Sequence, residues 1–324
     1  MNLFEQQTAN RRRTWLVMAA FVAFLLALGS GFDMFVAGLD GQYVPVGSVA
    51  ALGIGSVMAL AGYYTGDRAV LASTGARPVE AVAAEASDSE RLEVRQLENV
   101  VDEMAIAAGL PRPKVFVVPD PDPNAFATGR DPDHASIAVT RGLLETLDRE
   151  ELQGVVAHEM SHIRNLDMRV MTIVAALVGA VALLSDWARR GFWGQGPRRR
   201  GEREGRRGAA VPAFFVIWIV AVLLAPLLAR LLAMMVSRRR EYLADASAAE
   251  LTRNPIGLAR ALEKIEEAVA PTRAIKRGSA HLCIADPLRR RINLREGFWA
   301  DIFASHPPMS ARIAALKQMA YLAQ

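Results

Sequence analysis

His158-Glu159-Met160-Ser161-His162 sets two imidazoles four residues apart with a carboxylate between them. On a helix, residues four apart stand one turn above each other on the same face. The two rings can then converge on one metal ion, and Glu159 lies close enough to reach a water bound to that ion. The flanking residues predict the helix. Asp148 and Glu151 have capping-box spacing, with Asp where Ser or Thr is usual. Leu152, Val155, Val156, Glu159 and Ile163 fall on one stripe at helical spacing. The histidines flank that stripe and are expected at the edge of a core. The chain has 5 His in all, so two of them bracketing a Glu at ligand spacing is not expected by accident.

A catalytic zinc site needs three protein ligands and one open position. The continuation x-x-G-x-x-H is missing after His162, because Asn165 stands at the glycine position and Met168 at the histidine position. Cys283 is alone, which excludes an internal disulfide and a Cys-x-x-Cys site. The third ligand is therefore a distant carboxylate or His: Asp167, Glu241, Asp245, His281 or His306. Glu241 and Asp245 are four apart on a predicted helix. With Glu241 on the metal, Asp245 lies one turn away, where it can accept a hydrogen bond from the outer nitrogen of a ligating imidazole. The competing reading of Glu241 is an exposed glutamate paired with Arg238.

The elements that must position these residues include membrane spans. The 324 residues are 52% hydrophobic yet 22% charged, a mixture of apolar spans and a water-soluble part. The net charge of +4 rests on Arg residues beside apolar runs, which points to a membrane surface and not to nucleic acid. Thr14 to about Ser30, continuing to Val36 with a break at Asp33, is a retained span in preference to a cleaved signal. Val44–Tyr64 is a second span, rich in the Gly and Ala that suit close helix contacts in lipid. Arg11, Arg12 and Arg13 precede the first span and no Lys or Arg lies between the two, so the N-terminus and the chain after Tyr64 are expected in the cytoplasm.

Residues 65–90 read as a linker. A helical stripe from Leu97 to Ala108 follows, ending at Gly109 and Pro111. Strands are expected at Lys114–Val118, Asn124–Thr128 and Ala135–Thr140, and a short helix near Leu143–Leu147. Met168–Ser185 is a third apolar run and Ala209–Met235 a fourth, containing Arg230. Between them, residues 188–208 carry eight Arg and read as a flexible loop. Helices are expected at Arg238–Leu251, from Pro255 to about Val269, and at Met309–Leu322. His162 and Glu241 must meet on one side of the membrane, so the third and fourth runs cross as a pair or neither crosses. Crossing puts the Arg-rich loop outside, against the positive-inside tendency. The alternative is a hairpin embedded in the cytoplasmic leaflet. Both runs are long enough to span, and spanning is the expectation.

Four segments together carry a family resemblance. They are Asn124-Ala125-Phe126-Ala127, His158-Glu159-Met160-Ser161-His162, Ser237-Arg238-Arg239-Arg240-Glu241-Tyr242-Leu243-Ala244-Asp245, and Ser305-His306-Pro307-Pro308 with Arg312-Ile313. In this order, behind two apolar runs, the chain resembles the HtpX-type membrane zinc metalloproteases, relatives of the CAAX-prenyl endopeptidases. The resemblance implies Glu241 as third zinc ligand, Asp245 as the partner behind it, and the Asn124–Ala127 strand as a substrate-binding edge contacted at Asn124, Ala125 and Phe126. His306 and Tyr242 are candidate oxyanion or substrate contacts, with His306 otherwise a turn residue before two prolines.

The expected architecture is a mostly α membrane protein. About four transmembrane or membrane-embedded helices accompany an α+β zincin-like catalytic domain. Residues 1–64 form an N-terminal membrane region and 65–167 the first part of the catalytic domain. Residues 168–235 form a membrane hairpin, and 236–324 complete the catalytic domain. The expected activity is that of a zinc metalloendopeptidase of the multi-pass inner membrane, its site facing the cytoplasm, holding one Zn²⁺ per chain. Its partners are misfolded or membrane polypeptides and the lipid bilayer, in protein quality control and stress response.

Overall fold

The computed structural model describes residues 3–40, 44–193, 238–268, 274, 282–285 and 307–322. Helix α1 (Leu3–Asp40) and helix α2 (Val46–Ser73) are, among these residues, the two helices long and apolar enough to cross a membrane. Their apolar windows have mean hydropathies of 2.0 and 1.6. A helix of 28 residues reaches about 42 Å, more than the roughly 30 Å hydrocarbon core. Leu52, Ile54, Val57 and Leu60 stand 47–66% exposed on the outside of α2, a continuous face that only lipid or another apolar surface satisfies. At the far end Asp33 of α1 is buried and accepts from Gly47 N, Ser48 N and Ser48 Oγ at 2.7, 2.8 and 2.5 Å. It thus serves orphan amides at the start of α2 from the neighbouring helix, which hydrocarbon could not do.

The third apolar run is helix α7 (Asp167–Trp193), and it lies against both α1 and α2. Val170, Ile173, Val174 and Leu177 meet Val17, Met18, Phe21 and Ala59 in one buried cluster. Gly66 allows the close approach: a Cβ there would come within 3.2 Å of Thr172 Cγ2. Residues 188–193, read as the start of a loop, continue α7 as helix. The fourth apolar run and the rest of the Arg-rich segment lie outside the described residues.

Aromatic and basic groups collect at one end of the three helices. Trp15 stacks on Tyr63 at 6.1 Å, Arg169 sits 5.5 Å over Tyr63, and Arg130 sits 5.6 Å over Tyr64. Rings and guanidinium groups of this kind belong at headgroup level. The polar first turns of α1 and the last turns of α2 extend beyond this belt on the side of the remaining fold.

Residues 65–90 are not a linker. They finish α2, then form strand β1 (Arg77–Pro78), helix α3 (Val79–Glu85) and the start of helix α4 (Asp88–Ala108). The polar cluster around Ser87 is in fact a helix start. Ser87 and Glu90 form a reciprocal capping box, with Ser87 N donating to Glu90 at 2.8 Å. Strands β2 (Lys114–Val118), β3 (Ala125–Thr128) and β4 (Ser136–Thr140) fall where alternation and β-branching place them. The sheet order is β1-β2-β4-β3, with β2 parallel and β3 antiparallel to β4. β3 is therefore an edge.

Helix α5 (Arg141–Thr146) leads into helix α6 (Arg149–Arg164), whose capping box Asp148/Glu151 closes in both directions. Helices α8 (Arg238–Thr252), α9 (Pro255–Glu267) and α10 (Met309–Leu322) complete the described fold. α6 touches α4, α8, α9 and β3. Every residue from Gly154 to Ile163 is buried, so the histidines lie inside the core and not at its edge. The distant helices cover the face that local periodicity leaves open. Gly154 permits that cover: a Cβ on it would stand 2.8 Å from Leu258 Cα on α9.

Candidate metal centre

The buried turn of α6 and the first turn of α8 face each other. His158, His162 and Glu241 bring one ligand atom apiece to within 4.8 Å of one another. The two imidazoles cross edge to face at 89°, with Nε2 atoms 3.2 Å apart. Glu241 Oε2 is 3.8 Å from His158 Nε2, and Oε1 is 3.7 Å from His162 Nε2. Two ring nitrogens and a carboxylate turned inward, all nearly dry, are a donor set that fits a cation between them. Of the three third-ligand candidates among the described residues, Glu241 is the one brought into this cluster. His281 and His306 lie outside the described residues.

Asp245 occupies the position expected of it. His158 Nδ1 lies 3.0 Å from its Oδ1, leaving Nε2 for the cluster. Asp167 does the same for the second ring: its Oδ2 is 3.4 Å from His162 Nδ1. It lies behind the ring, outside the three-residue cluster. Arg240 Nη1 is 3.2 Å from the other oxygen of Asp167.

The sequence assigns Arg312 no role, yet among the described residues it is the largest fully buried side chain. Its Nε and Nη2 donate to Asp245 at 2.8 and 2.7 Å, and Nη1 donates to Ile284 O at 2.9 Å and lies 3.4 Å from Glu241. No periodicity could have joined α10 to α6 across 154 residues. Removing one partner of such a buried pair costs about 3–5 kcal/mol, because the other charge is left unpaired. Arg312→Met should therefore unfold at markedly lower denaturant in detergent than wild type. Arg312→Met with Asp245→Asn should recover part of the loss. Equal midpoints for wild type and Arg312→Met would contradict the pairing.

Electrostatics follow from burial and these partners. Burial lowers His158 below the ordinary imidazole range, and Arg312 adds to this against the pull of Asp245. Burial also opposes charge on His162, but Asp167 and Glu241 outweigh it and raise the ring to about 9. Asp245 is pushed down to about 2 because Arg312 and His158 overcome its desolvation. Glu159 is pushed up to about 7, first by burial and also by Glu241, with His162 pulling the other way. Neither Glu159 oxygen has a hydrogen-bond partner among the described residues. The backbone amide of Ala127 favours its charged form without completing an ordinary hydrogen bond. A buried carboxylate left open in this way calls for a specific explanation, such as a catalytic role, a water or an ion.

The β3 strand runs beside this carboxylate. Asn124 is buried; its Nδ2 donates to Ala285 O at 3.1 Å, and its backbone carbonyl accepts from Thr140 N at 2.9 Å. Phe126 is 1% exposed and belongs to a core with Val70, Val118 and Met171. Its ring is therefore not available to anything beyond the edge. Leu282 and Cys283, to which the sequence assigns nothing, lie against this edge. Cys283 bridges antiparallel to Phe126, and Ile284 N donates to Ala125 O at 3.0 Å. Tyr242 is 37% exposed on a face next to that of buried Glu241.

Two imidazoles and a carboxylate at ligand spacing, an open acid beside them, and membrane helices packed underneath define a membrane metalloprotease. Residues 91–320 match the profile described as "Peptidase family M48". A "Protease HtpX homolog" of Streptococcus gordonii is 41% identical over 98% of this chain and 100% of its own length. Another, of Caldanaerobacter subterraneus subsp. tengcongensis, is 41% identical over 98% of each chain. The crystal structure of S. mikatae Ste24p overlays at a TM-score of 0.46 and 17% identity, covering 97% of this chain and 67% of that one. The chain belongs to peptidase family M48.

Proposed function

We propose that this membrane metalloprotease is a zinc endopeptidase that cuts misfolded or membrane polypeptides close to the bilayer. His158, His162 and Glu241 hold one Zn²⁺, and Glu159 is the general base. The observation that carries the reading is the three-residue cluster beside the unpartnered, buried Glu159. A purely structural zinc has no use for such an acid. When bound, the ion would supply Lewis acidity at this pocket.

The chain's own groups do the rest. Asp245 and Asp167 hold the two imidazoles by their outer nitrogens, so that both Nε2 atoms face the pocket. Glu159 takes the proton of the attacking water and passes it to the leaving amine. Arg312 and Asp245 keep Glu241 and His158 in register from behind. An extended substrate adds to the outer edge of β3 by main-chain hydrogen bonds, which read backbone more than side chains. In this reading the substrate takes the part of the edge that Cys283 and Ile284 do not cover.

In this proposal residues 65–167 and 236–324 form one zincin-like catalytic domain, interrupted by the membrane hairpin 168–235. Domain and N-terminus share the cytoplasmic side, as Arg11, Arg12 and Arg13 favour. The test is cleavage of an unfolded reporter polypeptide, free or tethered to a membrane helix, by detergent-purified protein. Cleavage should stop on chelation and return with stoichiometric zinc, and the tethered reporter should be cut faster in proteoliposomes. Activity that survives full removal of metal would end the zinc mechanism.

A further inference from the structure

The first membrane helix reaches the metal pocket through one side chain. Asn10 lies on α1, 3% exposed, well before the apolar part of that helix. Its Nδ2 donates to Asp167 Oδ1 and to Asn165 O, each at 2.8 Å, while its Oδ1 accepts from Arg13 at 3.4 Å. Both acceptors need the amino side of the carboxamide, so the group is held in one orientation.

The two acceptors bracket a strained residue. Leu166, between Asn165 and Asp167, has φ of +59° although it is not glycine, and it is buried. A residue so placed persists only where its surroundings over-determine it. The turn it makes ends α6 and folds Asp167 back to within 3.4 Å of His162 Nδ1. Asn10 ties down the residue on each side of this turn. Gln7, one turn earlier on α1, donates to Arg164 O at 2.8 Å but makes no bond to Asp167. Gln7 thus docks α1 without contacting Asp167, whereas Asn10 does both and shares Asp167 Oδ1 with Arg240 at 3.2 Å.

We infer that Asn10 is a positioning residue for the metal centre, acting on His162 through Asp167, so that seating of the first membrane helix sets the geometry of one ligand. This rests on the proposed metal site. Asn10 touches neither metal nor substrate; it orients the carboxylate that orients the imidazole. The consequence is a protease whose metal is held fully only when its N-terminal helix is in place.

The experiment measures release of zinc to a chromophoric chelator from full-length protein in detergent, together with kcat and KM on the reporter polypeptide. Proteins compared are wild type, Asn10→Leu, Asn10→Ser, Gln7→Leu, Asp167→Asn and the Asn10→Leu/Asp167→Asn double variant. Asn10→Leu should release zinc about three- to tenfold faster, short of the 10–100-fold typical of direct partners of ligating histidines. Asn10→Ser, which retains one donor, should fall between it and wild type even if the leucine variant folds poorly. Gln7→Leu should stay near wild type, kcat should fall with KM unchanged, and the double variant should match Asp167→Asn. Equal acceleration by Gln7→Leu, or multiplication of the two effects in the double variant, overturns the inference and leaves Asn10 a docking residue. Wild type that holds no zinc overturns the metal site itself, a result distinct from either.

Discussion

Glu159→Gln should leave zinc bound at one ion per chain and reduce turnover of an unfolded polypeptide by at least about 10²–10⁴-fold, the range typical of a positioned general base. The substitution keeps size and shape and removes the ability to carry a proton. It also replaces a buried acid that has no partner among the described residues, so the fold should not suffer and can gain slightly. The informative pattern is therefore loss of activity together with unchanged metal content and an unchanged or raised unfolding midpoint. Metal analysis and denaturation on the same sample as the kinetics decide it. If Glu159→Gln cuts the reporter as fast as wild type, hydrolysis by this centre is refuted and the protein's zinc is structural. A variant that loses its zinc instead would make Glu159 a ligand, against the cluster seen here.

Glu241→Ala should fail at an earlier step. It removes the one carboxylate that meets both Nε2 atoms, and the loss should exceed the 10–100-fold cost of an outer partner. After dialysis the variant should hold well under one zinc per chain and show no activity. Stability gives a second readout. An ion present at about 1,000 times its dissociation constant stabilises the folded state by about 4 kcal/mol. Chelation should therefore lower the unfolding temperature of wild type and leave Glu241→Ala unmoved. Full zinc occupancy in Glu241→Ala would send the third-ligand search to His306 or His281. Glu241 also borders Arg312 at 3.4 Å, so part of the lost stability in Glu241→Ala reflects a guanidinium with fewer partners. Comparison with and without chelator separates that part from metal binding.

The cluster also explains why polar groups are buried so densely here. Asp167, Arg240, Glu241, Asp245 and Arg312 are all at most 8% exposed. Burying them is tolerable because each charge faces an opposite one or an imidazole. The arrangement leaves little freedom for the rings, and positioned rings are what a catalytic metal site needs.

Local physics made much of this legible from the chain alone. Apolar runs of spanning length, the Asp148/Glu151 cap, the β-branched strands and the four-residue spacing of His158 and His162 are each set by contacts a few residues apart. Spacing leaves the third ligand open and the resemblance favours Glu241, whose carboxylate the fold sets beside the two histidines. Three things belonged to the tertiary structure. Arg312 meets Asp245 because α10 folds over α8, a contact with no sequence period. The edge of β3 carries Ile284 and Cys283 because a distant segment finds unpaired backbone there. Asn10 meets Asp167 because a strained Leu166 turns the end of α6 toward the first membrane helix. In each case the partners are polar groups that water would otherwise satisfy, and only the folded chain, by excluding water, dictates which of them must meet.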